Sequence, residues 1–108
     1  MVGVIDSLFQ GLNKPIMLWL LAKRPLHGYG LIKELRKITG KRLKPSIVYM
    51  FLYWLEEEGF VKWTKTEYRG RERKYYSLTE KGEELLDSLR KLFQRHLGDI
   101  LSEILLGE

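Results

Sequence analysis

The apolar residues of this 108-residue chain change their spacing twice, at Gly59 and again at Thr79. Up to Gly59 most of them recur three or four positions apart, which is the period of a helix that buries one face. From Phe60 to Leu78 they alternate within a stretch rich in aromatic and β-branched residues, which is typical of strands. After Thr79 the helical spacing returns. The sequence therefore predicts a mainly α-helical fold with one small β-hairpin before its last helix.

The first part of the chain predicts a short N-terminal helix followed by helix 1. The short helix depends on four apolar residues at helical spacing, which are Ile5, Leu8, Phe9 and Leu12. Residues 13–15 have the composition of a cap and first turn, because Asn is a good N-cap and Pro is favoured at the first helical position. The apolar stretch from Ile16 to Ala22 then forms helix 1, and Pro25 interrupts the pattern.

Helices 2 and 3 are predicted between Gly28 and Gly59. Helix 2 begins at Gly28 and ends at Gly40, since glycine favours the conformation at a helix C-terminus. A basic loop of residues 41–44 precedes Pro45, which suits the first position of helix 3. The apolar stripes that define the two helices are Leu31, Ile32, Leu35 and Ile38 in helix 2, and Val48, Phe51, Leu52 and Leu55 in helix 3.

The hairpin is predicted to turn at Arg69-Gly70-Arg71, where the glycine permits a tight turn. Thr79 then caps the last helix, whose first turns are rich in glutamate near the positive end of the helix dipole. This helix is expected to continue to about Leu106. We assign residues 1–78 to a winged helix-turn-helix and residues 79–108 to a C-terminal dimerisation helix, joined in one continuous structural domain.

Positive charge is concentrated in two segments of the chain. Between Lys33 and Lys44 six basic residues stand against one acidic residue, and between Lys62 and Lys74 six stand against two. The first segment covers the end of helix 2 and the turn into helix 3, and the second is the hairpin. In a winged helix-turn-helix, helix 3 enters the DNA major groove and the hairpin lies on the phosphate backbone as a wing. Element order and charge therefore both predict double-stranded DNA as a partner.

Three blocks of the sequence resemble the PadR family of transcriptional regulators. They are His27-Gly28-Tyr29 at the start of helix 2, Val48-Tyr49 with Leu52-Tyr53 and Leu55-Glu56-Glu57-Glu58-Gly59 in helix 3, and the segment from Arg73 to Gly82. The resemblance covers about residues 16–82. It implies a dimeric transcription factor, often a repressor, whose C-terminal helix packs on helix 1 of the partner. It also implies that the family's helix-3 tyrosine is Tyr49 and that the basic wing tip is residues 69–74.

Three residues depart from the family's usual pattern. Ile47 stands where threonine or serine is common, and Lys44 stands where serine is common. Both departures bear on the sequence of the DNA target. Trp54 stands where a basic residue is frequent, which weakens one expected phosphate contact.

We expect DNA contacts from the basic loop, from the side of helix 3 opposite its apolar stripe, and from the wing. The expected residues are Lys41, Arg42, Lys44, Ser46, Ile47, Tyr49, Met50, Tyr53, Arg69, Arg71, Arg73, Lys74 and Tyr76. Two alternatives stay open: Tyr49 and Tyr53 are either DNA contacts or partly buried core aromatics, and Ile47 meets a thymine methyl group or belongs to the core. Tyr76 is expected to pack at the base of the wing with its hydroxyl toward a phosphate.

The last helix carries an apolar stripe that one small domain cannot cover. The stripe extends over about 27 residues, or roughly 40 Å at 1.5 Å per residue. Leaving it in water would forgo on the order of 10 kcal/mol at about 25 cal/mol per Å², so we expect a homodimer rather than a helix folded back on its own domain. Gly98 predicts close helix approach or a bend. The expected dimer contacts are Ile16, Trp19, Leu20, Leu85, Leu89, Leu92, Phe93, His96, Leu97, Ile100, Leu101 and Ile104.

Several functional classes find no support in the sequence. The chain has no cysteine, and its two histidines show no metal-ligand spacing. Ser46 has no evident histidine partner and no carboxylate pair stands out, so we expect neither an enzyme nor a cofactor. Gly28 and Gly30 lack the third glycine and preceding strand of a nucleotide-binding motif. The apolar run 16–22 is too short to cross a bilayer, so we expect a cytoplasmic protein without membrane contact.

Two alternative functions stay open. The first is a small-molecule sensor, in which the dimer encloses an apolar pocket near Trp19 and Phe93 that controls DNA binding. The family resemblance implies an apolar or aromatic effector there, because some members bind flat aromatic compounds in this way. The second is a winged helix that binds another protein.

Overall fold

Five helices and one two-stranded hairpin occur in the computed structural model, which describes Gly3 and residues 10–107. Helices α1 (Asn13–Lys23), α2 (Gly28–Thr39) and α3 (Pro45–Glu57) correspond to the predicted helices 1, 2 and 3. The wing consists of β1 (Val61–Tyr68) and β2 (Arg71–Leu78), and helices α4 (Glu80–His96) and α5 (Gly98–Leu106) follow it. The predicted fold class, mainly α with a hairpin wing, is confirmed. Three residues of the predicted short N-terminal helix, Ile5, Leu8 and Phe9, lie outside the described residues.

Residues with special backbone preferences set the ends of the helices around α3. Gly40 ends α2 in the left-handed conformation with a φ of 75°. Pro45 occupies the first turn of α3. The hydroxyl of Thr79 accepts a hydrogen bond from the backbone N–H of Gly82 at 3.1 Å and donates one to the carbonyl oxygen of Gly59 at 2.6 Å. The predicted cap at Thr79 is therefore confirmed, and it also ties the end of α3 to the start of α4.

The buried core lies between α1, α2, α3 and the base of the wing. Its members include Met17, Leu18, Leu20 and Leu21 from α1, Leu31, Ile32 and Leu35 from α2, Val48, Phe51, Leu52 and Leu55 from α3, and Val61, Tyr76 and Leu78 from the wing. Burying one large apolar side chain stabilises the fold by about 1.5–3 kcal/mol, so rotating α3 about its axis would cost several such contributions. The core therefore fixes which side of α3 faces solvent.

The wing has a tight two-residue turn. Val61 lies opposite Leu78 at the base, and Tyr68 lies opposite Arg71 at the tip. The turn residues Arg69 and Gly70 both have positive φ, 52° and 76° respectively. This combination is that of a type I′ turn, whose twist matches that of the flanking strands. In the part of the chain that the structure describes, Arg69 is the one non-glycine residue with positive φ.

Tyr76 joins the wing to the loop between α1 and α2. Its backbone N–H donates to the carbonyl oxygen of Leu26 at 2.9 Å, and its carbonyl oxygen accepts from the Leu26 N–H at 3.0 Å. Its side chain is only 2% exposed, because it lies opposite Trp63 on the inner face of the wing. Tyr76 therefore packs at the base of the wing as expected, and its contact with a phosphate stays a prediction.

The C-terminal segment is divided into two helices, which corrects the prediction of one continuous helix. Leu97 leaves helical geometry with a φ of −121°, and α5 begins at Gly98. The Leu97 N–H still donates to the Phe93 carbonyl oxygen at 2.8 Å, and the Leu101 N–H donates to the Leu97 carbonyl oxygen at 2.7 Å, so no loop separates the helices. Glycine costs about 1 kcal/mol in a helix interior relative to alanine, which favours a break beside Gly98. None of the helices among the described residues has the length and apolar content needed to cross a bilayer.

Candidate nucleic-acid interface

The N-terminal and middle turns of α3 carry no charged side chain. From Pro45 to Leu55 the helix contains no acidic, basic, amide or imidazole side chain. We call four exposed residues of this stretch, Ser46, Ile47, Met50 and Tyr53, the outward face of α3. Met50 is 71% exposed and Ile47, one turn before it, is 46% exposed. The outward face therefore presents mainly methyl and methylene groups, with hydroxyls at Ser46 and Tyr53.

The basic loop lies at the start of α3. Lys41, Arg42 and Lys44 are all exposed, and they surround a hollow that Ile47 also lines. Lys44 is the N-cap residue of α3 and has an extended backbone with φ −62° and ψ 135°. Cations therefore border the N-terminal end of the outward face.

Tyr49 occupies the flank of α3 that faces the first turn of α2. A Cβ atom built on Gly28 would lie 2.3 Å from both Cζ and the hydroxyl oxygen of Tyr49, so only glycine leaves room for this ring. Tyr29 meets the ring edge-on with centroids 6.1 Å apart. Burial raises the pKa of Tyr49, and the neighbouring phenols of Tyr29 and Tyr53 raise it further. The hydroxyl of Tyr49 therefore stays protonated and can donate a hydrogen bond to an anion.

A crevice of about 430 Å³ separates the start of α2 and the flank of α3 from the wing. The crevice is lined by His27, Gly28, Tyr29, Tyr49, Tyr53, Arg71, Glu72, Arg73, Lys74 and Tyr76. Helix α2 begins here without a side-chain cap, so backbone N–H groups of its first turn remain available. Helix N-termini attract anions, and arginine and tyrosine side chains supply further donors. The crevice is therefore suited to a backbone phosphate of a nucleic acid.

The two faces of the wing differ in charge. Successive side chains of a strand point to opposite faces, so the register places Lys62, Arg71 and Arg73 together on one face without a carboxylate. We call this the cationic face of the wing. The other face balances two lysines against two glutamates, which are Lys65, Lys74, Glu67 and Glu72. An approaching polyanion is therefore attracted to one face more than to the other.

Tyr68 organises the cations near the wing tip. The guanidinium carbons of Arg69 and Arg73 lie 5.3 Å and 4.7 Å from the centroid of its ring, which are cation–π distances. On the opposite face, Lys65 pairs with Glu72 at 3.4 Å. A ring face uses none of the guanidinium N–H groups, so Arg69 and Arg73 keep donors for an external phosphate.

His27 lies at the inner end of the crevice. Its ring centroid is 5.2 Å from that of Tyr75, and its Nδ1 atom is buried without a hydrogen-bond partner. Burial lowers the pKa of His27, and the positive charge of Arg73 lowers it further. The side chain is therefore neutral at pH 7.

The expected DNA contacts fall into three groups in the structure. The crevice brings Tyr49 and Tyr53 together with wing cations, the basic loop lies near Ile47, and Arg69 lies at the wing tip against the ring of Tyr68. Tyr29 and His27 also line the crevice, although they are not among the expected DNA contacts. The feature of the sequence that could have identified them is their position on either side of Gly28, where the missing side chain lets Tyr49 approach α2.

The expected dimer contacts divide into four groups. Leu20 is 5% exposed and therefore belongs to the core, which removes it from the interface. Leu85 is partly buried and packs against the core. Ile16, Trp19, Leu89 and Phe93 line an apolar hollow between α1 and α4. The exposed members are Leu92, His96, Leu97, Ile100, Leu101 and Ile104.

Comparisons with known proteins agree with this architecture. A PadR-like transcriptional regulator from Bacillus cereus superposes with a TM-score of 0.79 at 23% identity, over 94% of this chain and 99% of its own. A protein from Streptococcus mutans gives a TM-score of 0.73 at 30% identity, over 89% of this chain and 88% of its own. A PadR family transcription regulator from Clostridium difficile gives 0.71 at 25% identity, over 87% and 98% respectively.

Sequence comparison covers a similar part of the chain. An uncharacterized 37.1 kDa protein in transposon TN4556 of Streptomyces fradiae is 38% identical over 72 residues, which are 67% of this chain. The match spans only 20% of that larger protein. Residues 17–88 match the family model described as the transcriptional regulator PadR-like family, and they include α3 and the whole wing. The chain therefore belongs to the PadR-like family of transcriptional regulators.

Proposed function

We propose that this chain is a sequence-specific repressor that binds double-stranded DNA as a homodimer, with α3 in the major groove and the wing on the phosphate backbone. The observation that supports this most directly is the charge around α3. Its uncharged outward face lies between the basic loop and a wing with a cationic face. Duplex DNA has the complementary arrangement, since its base edges lie in grooves between two rows of phosphates.

Salt dependence tests the DNA-binding part of the proposal. Neutralising phosphates releases counterions, so a protein with six or more phosphate contacts loses about 10³-fold or more in affinity between 50 and 200 mM salt. We expect a fall of this kind when fluorescence anisotropy follows binding to a labelled duplex. An affinity that does not change with salt would contradict the proposal. Absence of any duplex binding at low salt would favour the winged helix that binds another protein.

The homodimer is supported by the exposure of α5. Every residue from Asp99 to Leu106 is exposed in the single chain, including Ile100, Leu101 and Ile104 of the apolar stripe. An isolated helix of this length is marginal in water, so α5 needs a surface to pack against. A second copy offers the same apolar stripe and buries both. Its two α3 helices would then enter successive major grooves of a roughly palindromic site.

Sedimentation velocity tests the dimer with two matched variants. Ile104 belongs to the apolar stripe, whereas Ser102 lies on the opposite side of α5. We expect Ile104→Glu to sediment as a monomer, because a charge cannot be buried unpaired in an apolar interface. Ser102→Glu should remain dimeric. Equal sedimentation of both variants and the wild type would contradict this interface.

Repression follows from where such a dimer would sit. A dimer that occupies two successive major grooves at a promoter blocks access of RNA polymerase to the same DNA. We expect added protein to reduce transcription in vitro from a template that carries the selected site. An increase in transcription would contradict the repressor assignment without affecting the DNA-binding one.

A second candidate function, effector sensing, is favoured by the hollow between α1 and α4. The hollow measures about 270 Å³ and is lined by Leu12, Pro15, Ile16, Trp19, Leu86, Leu89, Arg90 and Phe93. Such an apolar site suits a flat aromatic compound that stacks on Trp19. Tryptophan fluorescence should then be quenched by aromatic ligands in the wild type and in Trp54→Phe, but not in Trp19→Ala. No response to a diverse panel of aromatic compounds would exclude this function.

A further inference from the structure

We infer that α3 distinguishes DNA sequences chiefly through thymine methyl groups, which Met50 and Ile47 contact in the major groove. This inference rests on the proposed DNA-binding function and specifies what that function recognises. It assigns the specificity of the protein to apolar contacts on the outward face of α3, while the basic loop and wing supply affinity that is independent of sequence.

The first argument is the set of chemical groups that α3 lacks. Guanine is read by arginine or lysine, adenine by asparagine or glutamine, and cytosine by acidic side chains. None of these residue types occurs in α3 before Glu56. The carboxylate of Glu56 accepts a hydrogen bond from the indole N–H of Trp63, so it is directed toward the wing. Reading helices contact bases mainly through their N-terminal residues, which in α3 leave apolar groups and a few hydroxyls.

The second argument is what α3 offers instead. Ile47, Met50 and Trp54 lie three or four residues apart and form a row of exposed apolar side chains along the helix. The C5 methyl group of thymine is the one apolar group that a base pair presents in the major groove, and apolar side chains recognise it. Met50 is unbranched and adaptable, which suits contact with a methyl group whose position varies with DNA shape.

The third argument is that the surroundings of this row match a DNA groove rather than a protein surface. The exposed cations Arg42 and Lys44 precede the row, and Arg71 and Arg73 of the cationic face of the wing line the crevice on the other flank of α3. An apolar protein partner would leave these cations without counter-charges at the rim, whereas the phosphates beside a major groove neutralise them. The row and its borders therefore fit thymine-containing base pairs.

The direct test changes the DNA and leaves the protein intact. Bound duplexes are selected from a random pool, and the best of them is resynthesised with deoxyuridine in place of thymidine. Uracil has the same hydrogen-bonding edge as thymine but lacks the methyl group. We expect affinity to fall by about fourfold for each contacted methyl group that is removed. The loss should be found only at half-site positions facing α3.

Protein variants connect the loss to the named residues. Met50→Ala should reduce the affinity ratio between the thymidine and deoxyuridine duplexes toward one, and Met50→Leu should retain most of it. Arg71→Ala, on the cationic face of the wing, should weaken both duplexes by the same factor and leave the ratio unchanged. Circular dichroism confirms that each variant is folded.

Three outcomes would overturn the inference. Equal affinity for thymidine and deoxyuridine duplexes would refute methyl readout while leaving the proposed DNA binding intact. Loss of affinity on replacing guanine with 7-deazaguanine, with no loss for deoxyuridine, would assign the readout to Arg42 or Lys44. Failure to bind any duplex at low salt would remove the proposed function and the inference with it.

Discussion

The contact between Gly28 and Tyr49 predicts an energetic coupling between the start of α2 and the flank of α3. A Cβ atom at Gly28 would lie 2.3 Å from the Tyr49 ring, whereas ordinary contacts begin near 3.4 Å. In Gly28→Ala the ring must therefore retreat by about 1 Å, and overpacking of this kind costs about 1–3 kcal/mol. The higher helix propensity of alanine offsets at most about 1 kcal/mol of this cost. We expect the free energy of unfolding of Gly28→Ala to fall by up to about 2 kcal/mol.

The same substitution should have the opposite sign when Tyr49 is absent. In Tyr49→Ala the space beside Gly28 is empty, so adding Gly28→Ala should stabilise the protein by up to about 1 kcal/mol. Urea unfolding of the four proteins gives a coupling energy, which we expect to be about 1–3 kcal/mol. DNA affinity should fall in Gly28→Ala because Tyr49 no longer holds its position. An equal effect of Gly28→Ala in both backgrounds would refute this reasoning.

Three further predictions concern the wing and the crevice. Arg73→Ala should lower the magnitude of the slope of log affinity against log salt concentration by about 0.9. The matched Lys65→Ala should change this slope little, because Lys65 is already paired with Glu72. Equal slopes for the two variants in anisotropy titrations would contradict the charge difference between the wing faces. Arg69→Asn should raise the free energy of unfolding by up to about 1 kcal/mol, because asparagine tolerates positive φ, yet weaken DNA binding. Unchanged affinity in a variant with raised thermal stability would show that Arg69 has no role on DNA. The pKa of His27 is lowered from 6.5 in the fold, so below pH 6.5 the unfolded chain takes up a proton that the folded chain does not, and the free energy of unfolding should fall as the pH drops. His27→Gln should reduce this fall when urea unfolding is compared at pH 7.5 and 5.5. An unchanged pH dependence in this variant would contradict the prediction.

Much of the fold is predictable from the sequence because local chemistry sets it. Gly40, Pro45 and Thr79 mark helix ends through their own backbone or side-chain preferences, and the structure has helix ends at all three. Leu20 shows where prediction from the sequence ends: α1 is apolar on several sides, and only packing decides which side is buried. Tyr75 and Tyr76 pose a similar problem: the backbone bridge to Leu26, distant in sequence, fixes which of them turns inward.

The candidate site is less predictable because its parts come from separate elements. The crevice combines Tyr29 of α2, Tyr49 of α3 and Arg73 of the wing, and no spacing along the chain records that they meet. The charge difference between the wing faces depends on register, since a shift by one residue would move every side chain to the other face. That register is set by the two-residue turn at Arg69 and Gly70, of which the sequence indicated only the location.

Because of the break at Leu97, the direction of α5 depends on the backbone angles of a single residue. A change in the backbone angles of Leu97 would redirect α5 without moving α4 away from α1. Two subunits that associate through α5 would then stay associated while the distance between their α3 helices varies. Such a pair tolerates binding sites whose halves stand slightly closer together or farther apart, whereas a rigid rod would accept a single separation.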